Sequence, residues 1–159
     1  MAHRSVPLRL YGAPGDADEL AWADADDALR AAGTYWVVAR ADGHPHPRPV
    51  WGLWREEHLH LSVGSPVLVR QLGDDPRVTV HLDSGTDVVV VEGRVVGRRA
   101  DDPVVRAYVE KYERPYDVAE YGPLTVVAPE RVLAWRSGGW AGRDGFTAVG
   151  RWDVGDVGG

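Results

Sequence analysis

The 159-residue chain contains no cysteine. That excludes a disulfide framework, a thiolate nucleophile and a Cys-ligated zinc, and it fits a cytoplasmic protein. Lysine is nearly missing as well: of 18 basic residues only Lys111 is a lysine, and the rest are arginines. The arginines form no run, and the net charge is −6. Nucleic acid is therefore not an expected partner, because a phosphate backbone calls for a positive face. No stretch approaches the roughly 20 apolar residues that cross a bilayer, so no membrane partner is expected. The opening MAHRSVPLRLYGAPGDADE lacks the apolar core of a signal peptide. No Gly-x-Ser-x-Gly occurs, Ser62 and Ser65 have no evident His–Asp partners, and no Gly-x-Gly-x-x-Gly opens a helix.

What is present describes one folded domain. Apolar residues make up 44 % of the chain, too many for a disordered one. The pattern predicts an N-terminal extension over 1–16 that wraps the surface, a domain over 17–154 and a fraying tail over 155–159. Leu20, Ala21, Ala25, Ala28 and Leu29 fall at helical spacing and predict a helix over 17–32, capped by Asp16 or Asp18 and closed by Gly33. Asp24, Asp26 and Asp27 read as its solvated face. The period then changes to that of strands: Thr34–Arg40, a turn at Asp42-Gly43, Val50–Trp54, His58–Val63 and Arg77–Leu82. Val88–Val91 reads as a strand buried on both sides, continuing into Gly93–Val96. Short helices are expected at 66–72 and from Asp102-Pro103 to Glu113. A loop follows from Tyr116 to Pro123. Leu124–Val127, Arg131–Trp135 and Phe146–Val154 supply late strands, and Gly138–Gly142 a turn between them. The fold class is thus mainly β with a few short helices (α+β), a six- to seven-stranded antiparallel barrel. Seven tryptophans in so short a chain place some at a pocket mouth or subunit interface.

The order of these segments is itself informative. TYWVVARADGHPHPRPVWGLW, then HLHLSVGSPVLVRQLGDDPRVTVHL, then VVVVEGRV, then AYVEKY resembles the split β-barrel family of pyridoxamine 5′-phosphate oxidase-like proteins. Within that family it is similar to the actinobacterial flavin- or deazaflavin-dependent oxidoreductases. The resemblance implies a homodimer with cofactor sites at the interface. It implies FMN, or alternatively the deazaflavin coenzyme F-420, and oxidoreductase activity on an unidentified small molecule. A non-catalytic ligand-binding dimer with a degenerate cofactor site is the alternative.

By the same resemblance, Gly43, Pro45, Pro49 and Val50 match the family's stretch after the first strand. Arg48 falls where many members place a cation near the cofactor phosphate, and Trp51 follows as a wall of the ring pocket. The phosphate segment aligns with Pro66 to Leu72. There Val67 and Leu68 stand where the family carries an Arg-Lys pair, while Ser65, Arg70 and Gln71 remain. The implied cofactor-binding set is Arg48, Val50, Trp51, Val63, Gly64, Ser65, Leu68, Arg70, Gln71 and Trp135. Arg48 and Arg70 would clamp the phosphate from two sides, aided by the helix N-terminus. Two lost charge-assisted hydrogen bonds would cost roughly 3–6 kcal/mol of affinity. Trp51, Trp54 and Trp135 are candidates to wall the ring, and His81 and Tyr112 candidate proton donors. His44-x-His46 and His58-x-His60 place imidazole pairs on one strand face, the spacing of a zinc or haem ligand pair. His44 and His46 flank a proline in a turn and no carboxylate completes either set, so no metal is expected.

Overall fold

The computed structural model describes residues 2–8, 17–41, 43–138 and 145–155. The expected cap at Asp16, the turn residue Asp42 and the segment 139–142 lie outside them. Ten strands and four helices follow one another as β1 (Ala2–Ser5), β2 (Asp18–Glu19), α1 (Trp22–Ala31), β3 (Tyr35–Ala41), β4 (His44–Val50), β5 (Gly52–Arg55), β6 (His58–Leu61), α2 (Pro66–Asp74), β7 (Arg77–His81), β8 (Asp87–Arg99), α3 (Asp102–Tyr112), α4 (Val118–Tyr121), β9 (Leu124–Ser137) and β10 (Phe146–Gly155).

The strands run in the order β1-β10-β9-β8-β7-β3-β4, with β5 on β6 and β6 on β9. All pairings are antiparallel except the short contact of β2 with β10. Only Trp51 separates β4 from β5, so the two are one bent strand. Its first half pairs with β3 and its second with β6. Strands β3, β4–β5, β6, β9, β8 and β7 therefore form a ring, closed through the chain itself at Trp51. The sheet is a split barrel, and β10 and β1 extend it beyond β9.

Alternation decides what the barrel encloses. Tyr35, Val37 and Ala39 of β3, Val78 and Val80 of β7, Val89 and Val91 of β8 and Leu59 and Leu61 of β6 are buried in one cluster with Ala25 and Leu29 of α1 and Leu68 and Leu72 of α2. The run of valines is thus not buried on both sides: Val88 and Val90 point outward and stay half-buried. On the outer face, α3 lays Val104 and Tyr108 over Leu53 and Leu124 to form a second, smaller cluster.

Four other expectations give way, three of them to tertiary pairing. The first helix begins at Trp22, because Asp18 and Glu19 pair with Ala148 and Val149 and the Leu20 N–H donates to the Val149 carbonyl (2.9 Å). Its N-terminus is held by Asp24, whose carboxylate accepts from the Ala21 N–H at 2.9 Å. The N-terminal segment does not simply wrap the surface, since β1 pairs with β10 from Ala2↔Gly155 to Ser5↔Trp152. Between Tyr116 and Pro123 a turn of helix, α4, is capped by Asp117, whose side chain accepts from the Ala119 N–H at 2.8 Å. The two late strands merge into β9, because β8 is long enough to pair with both halves.

That long pairing depends on Gly93. The register of β8 against β9 shifts between Glu92 and Gly93, and a Cβ on Gly93 would collide with the Ala128 carbonyl. A backbone oxygen in a paired strand cannot move aside as a side chain could. Gly93→Ala is therefore expected to lower stability by about 1–3 kcal/mol, read as a lower urea midpoint with an unchanged slope.

Candidate functional site

The bend at Trp51 shapes a pocket. With no place in the interior at a turn of the chain, the Trp51 ring is 46 % exposed and stacks on Tyr112 of α3, centroids 4.9 Å apart and planes 8° from parallel. Beside it the chain leaves β6 through Ser62 and Gly64 and enters α2 at Ser65. A pocket of about 300 Å3 forms there, lined by Arg48, Val50, Trp51, Ser65, Leu68 and Tyr108, with Pro49, Ser62 and Gly64.

The helix end at the pocket is largely used up. Pro66 has no N–H. The Leu68 N–H donates to Ser65 Oγ (3.4 Å), and the Val69 N–H to the Ser65 carbonyl (2.9 Å). Among the described residues the Val67 N–H is left to meet a ligand. Val67 is 41 % exposed at the rim, whereas Leu68 is buried in the core. Arg48 supplies the cation of the pocket; its guanidinium donates to its neighbour's carbonyl, that of Pro47, at 2.9 Å.

The other expected residues are placed elsewhere. Val63, between two lining residues, turns into the core. Arg70 and Gln71 border a separate depression with Arg40, Gly43, Asp74 and Asp75. Arg70 stands two positions past Leu68, which on a helix is about the opposite face, so the two-sided Arg48–Arg70 clamp does not form. Trp135 lines a groove against α1 with Ala28 and Arg136 and meets Phe146 edge-on at 6.4 Å. Trp54 is buried, its indole N–H donating to Asp26 (2.7 Å), and is not among the residues lining the Trp51 pocket. His81 lies parallel to Trp36 with its Nδ1 2.8 Å from the Leu82 carbonyl, on the face of β7 opposite Val80. Among the described residues no three metal-ligating side chains converge, and no helix is long and apolar enough to cross a membrane.

Lys111, the one lysine of the sequence, has a place in this site that its position in the chain does not announce. The structure puts it behind the pocket wall. Its ammonium donates to the Gly52 carbonyl (2.9 Å) and to Tyr35 Oη (3.2 Å), and it lies 5.0 and 5.4 Å from the centroids of the Tyr35 and Tyr112 rings. The Tyr35 hydroxyl in turn donates to the Leu29 carbonyl at 2.6 Å. Tyr112 Oη accepts from the Gly52 N–H (2.8 Å) and lies 2.9 Å from the carbonyls of both Gly33 and Gly52. Among the described residues no carboxylate pairs with Lys111, and burial lowers its pKa to about 8. Burial likewise pushes Tyr108, inside the pocket, up to about 12. From Trp51 the rings continue through Tyr112, Tyr108 and Tyr116 at 4.9, 4.7 and 4.7 Å. The helical spacing of Tyr108 and Tyr112 was the one signal in the sequence for this wall.

Because Lys111 is the only lysine, it can be followed directly. Reductive methylation with isotope-labelled methyl groups is expected to give a lysine signal, absent from Lys111→Arg, that titrates near pH 8. A midpoint at the ordinary value of about 10.4 would contradict the buried position. The unfolded chain keeps that proton to the higher pH, so Lys111 makes stability rise with pH between the two values. That part of the rise should vanish in Lys111→Met.

No family model matches the chain, and no curated protein matches it either. Solved structures do. A FAD-binding protein of Mesorhizobium loti is 18 % identical, with 85 % of this chain and 96 % of that one covered at a TM-score of 0.55. A structure described as an F-420 reductase is 20 % identical, covering 67 % and 94 % at 0.55. A Clostridium acetobutylicum protein related to general stress protein 26, of the pyridoxine phosphate oxidase family, is 14 % identical, covering 72 % and 87 % at 0.55. The agreement spans most of each molecule, so the chain has the split β-barrel fold of the pyridoxamine 5′-phosphate oxidase-like proteins.

Proposed function

We propose that this protein binds a flavin-type cofactor, FMN or alternatively the deazaflavin F-420, in the pocket beside Trp51, and acts as a homodimeric oxidoreductase on a small molecule. The observation that carries this reading is the pocket's makeup: a flat aromatic wall with one cation and one free backbone N–H at its rim. That donor set fits a planar ring bearing an anionic tail. The ring would lie against Trp51 and Val50, and the phosphate near Arg48, Ser65 and the Val67 N–H. Lys111 adds positive charge behind the wall that no nearby carboxylate cancels. The bound cofactor supplies the hydride chemistry. The chain's residues bind and orient it and keep water from its ring.

Size and exposure support the second copy. A cavity of about 300 Å3 stands at the low end of ligand sites, too small to bury a whole flavin nucleotide. Trp51 and Val67, both large and exposed, flank it. A partner laid over them would bury both and complete the enclosure. Strand-to-strand association through β4 is disfavoured. Pro45, Pro47 and Pro49 alternate along it opposite Arg40, Val38 and Trp36, so its outer edge lacks the N–H groups that another strand would need.

The test is titration of the purified protein with FMN and with F-420, followed by absorbance and fluorescence, alongside its mass in solution. Saturable binding by a dimer is expected. Arg48→Gln should weaken it by about tenfold or more, the worth of one charge-assisted hydrogen bond. Val67→Arg should tighten it by a similar factor by restoring a cation at the rim. A monomer, or no binding of either cofactor at high micromolar concentration, would rule the reading out. Binding with no acceptor-dependent reoxidation would favour the non-catalytic carrier.

A further inference from the structure

A second cavity, of about 360 Å3, opens on the outer face of the barrel near the start of α3, away from Trp51 at its other end. Glu56, His58 and His60 from the β5–β6 hairpin, Val126 of β9 and Val96, Arg98 and Arg99 of β8 line it; the His58 Nδ1 lies 2.8 Å from the Glu56 carbonyl. Its mouth exists because β8 bulges there. Pairing with β9 passes from Val95↔Val127 straight to Gly97↔Val126, which leaves Val96 unpaired and 54 % exposed. Bulges of this kind re-aim side chains and break the ladder beside binding sites.

At the base of the cavity is an imidazole with nothing to bind. His60 is 1 % exposed, and neither ring nitrogen completes a hydrogen bond. Burying both groups unpaired is costly. Burial also holds the ring's pKa below its ordinary value, and the Arg55 backbone pulls the other way. The ring is therefore neutral, with one N–H to donate and one lone pair to accept.

The charges around the mouth do not cancel. Arg99 is shared between Asp101 (2.7 Å) and Glu56 (3.3 Å), and Glu56 also meets Arg55 (3.2 Å). Arg98 makes no ion pair or hydrogen bond among the described residues and is exposed. One cation is thus free, next to two apolar side chains and one unpaired imidazole.

We propose that this cavity binds a small organic carboxylate. Its anionic end pairs with Arg98, its hydrocarbon packs on Val96 and Val126, and one oxygen accepts the His60 N–H. A monoanion fits better than a phosphate, because a second negative charge would face Glu56 with no cation to meet it. The site is separate from the Trp51 pocket and stands whether or not that pocket holds a cofactor.

The experiment follows the imidazole resonances of the full-length protein by proton–nitrogen correlation while sodium n-butyrate is added at neutral pH, with sodium chloride as the matched control. The His60 signals are identified by their loss in His60→Leu. Butyrate should shift them saturably, chloride should not, and inorganic phosphate should bind more weakly than butyrate. Arg98→Gln, an exposed change on a strand that leaves the fold intact, should weaken butyrate by about three- to tenfold. A non-saturating shift, a shift equal to that from chloride, phosphate binding as tightly as butyrate, or unchanged affinity in Arg98→Gln would overturn the proposal.

Discussion

The structure turns on how the backbone at Gly52 is satisfied. A barrel that closes by bending one strand must take a peptide out of regular ladder geometry, and buried N–H and C=O groups there need other partners. α3 provides them. Tyr112 accepts the Gly52 N–H, and Lys111 donates to the Gly52 carbonyl. The residue has to be glycine, since a Cβ would press within 2.7 Å of the His60 carbonyl and 2.8 Å of the Leu61 side chain. The Trp51 carbonyl is taken by the Ser62 N–H at 2.8 Å, which ties the bend to the segment that leads into α2.

The pocket follows from that one joint. The bend turns Trp51 outward, and the tyrosine that stabilises the bend also stacks beneath the Trp51 ring. Ser62, held to the bend, brings Gly64 and Ser65 alongside. α3 thus serves twice, as an outer layer packed on Leu53 and Leu124 and as the source of the pocket's aromatic backing. Its lysine meets burial with contacts to three neutral residues, Gly52, Tyr35 and Tyr112, rather than an ion pair, and desolvation lowers its pKa.

Charge is handled differently on the open face of the sheet. Arg131 bridges Glu92 and Asp153, and Arg136 bridges Asp24 and Asp87, cross-linking neighbouring strands and α1. Each group is substantially exposed, so each pair adds little stability on its own. Together with the other ion pairs they neutralise most of the described arginines. Of the described cations left without a carboxylate, Arg48 and Arg98 line the two cavities and Lys111 stands behind one of them, where an anion has the most to gain.

Local pattern determined the element types, and alternation determined which side chains enter the core. Period-two runs marked the strands, Pro66 and Pro103 marked helix starts, and the order of motifs pointed to the split barrel. Of the expected site, Arg48, Val50, Trp51, Gly64, Ser65 and Leu68 come together because they flank a single bend and are close in sequence. Arg70, Gln71 and Trp135 do not, because helical rotation and strand register carry them to other faces, and a linear alignment records neither. Tyr108 and Lys111 join the pocket from about sixty residues away, and His60 is buried where β6 pairs with β9 beside the bulge of β8. Sequence alone settled what most segments are, though not Ala2–Ser5, Asp18–Glu19 or Val118–Tyr121. Only the closed barrel decided which segments meet, since long-range hydrogen bonding and burial assign a side chain its neighbours, its charge and its access to water.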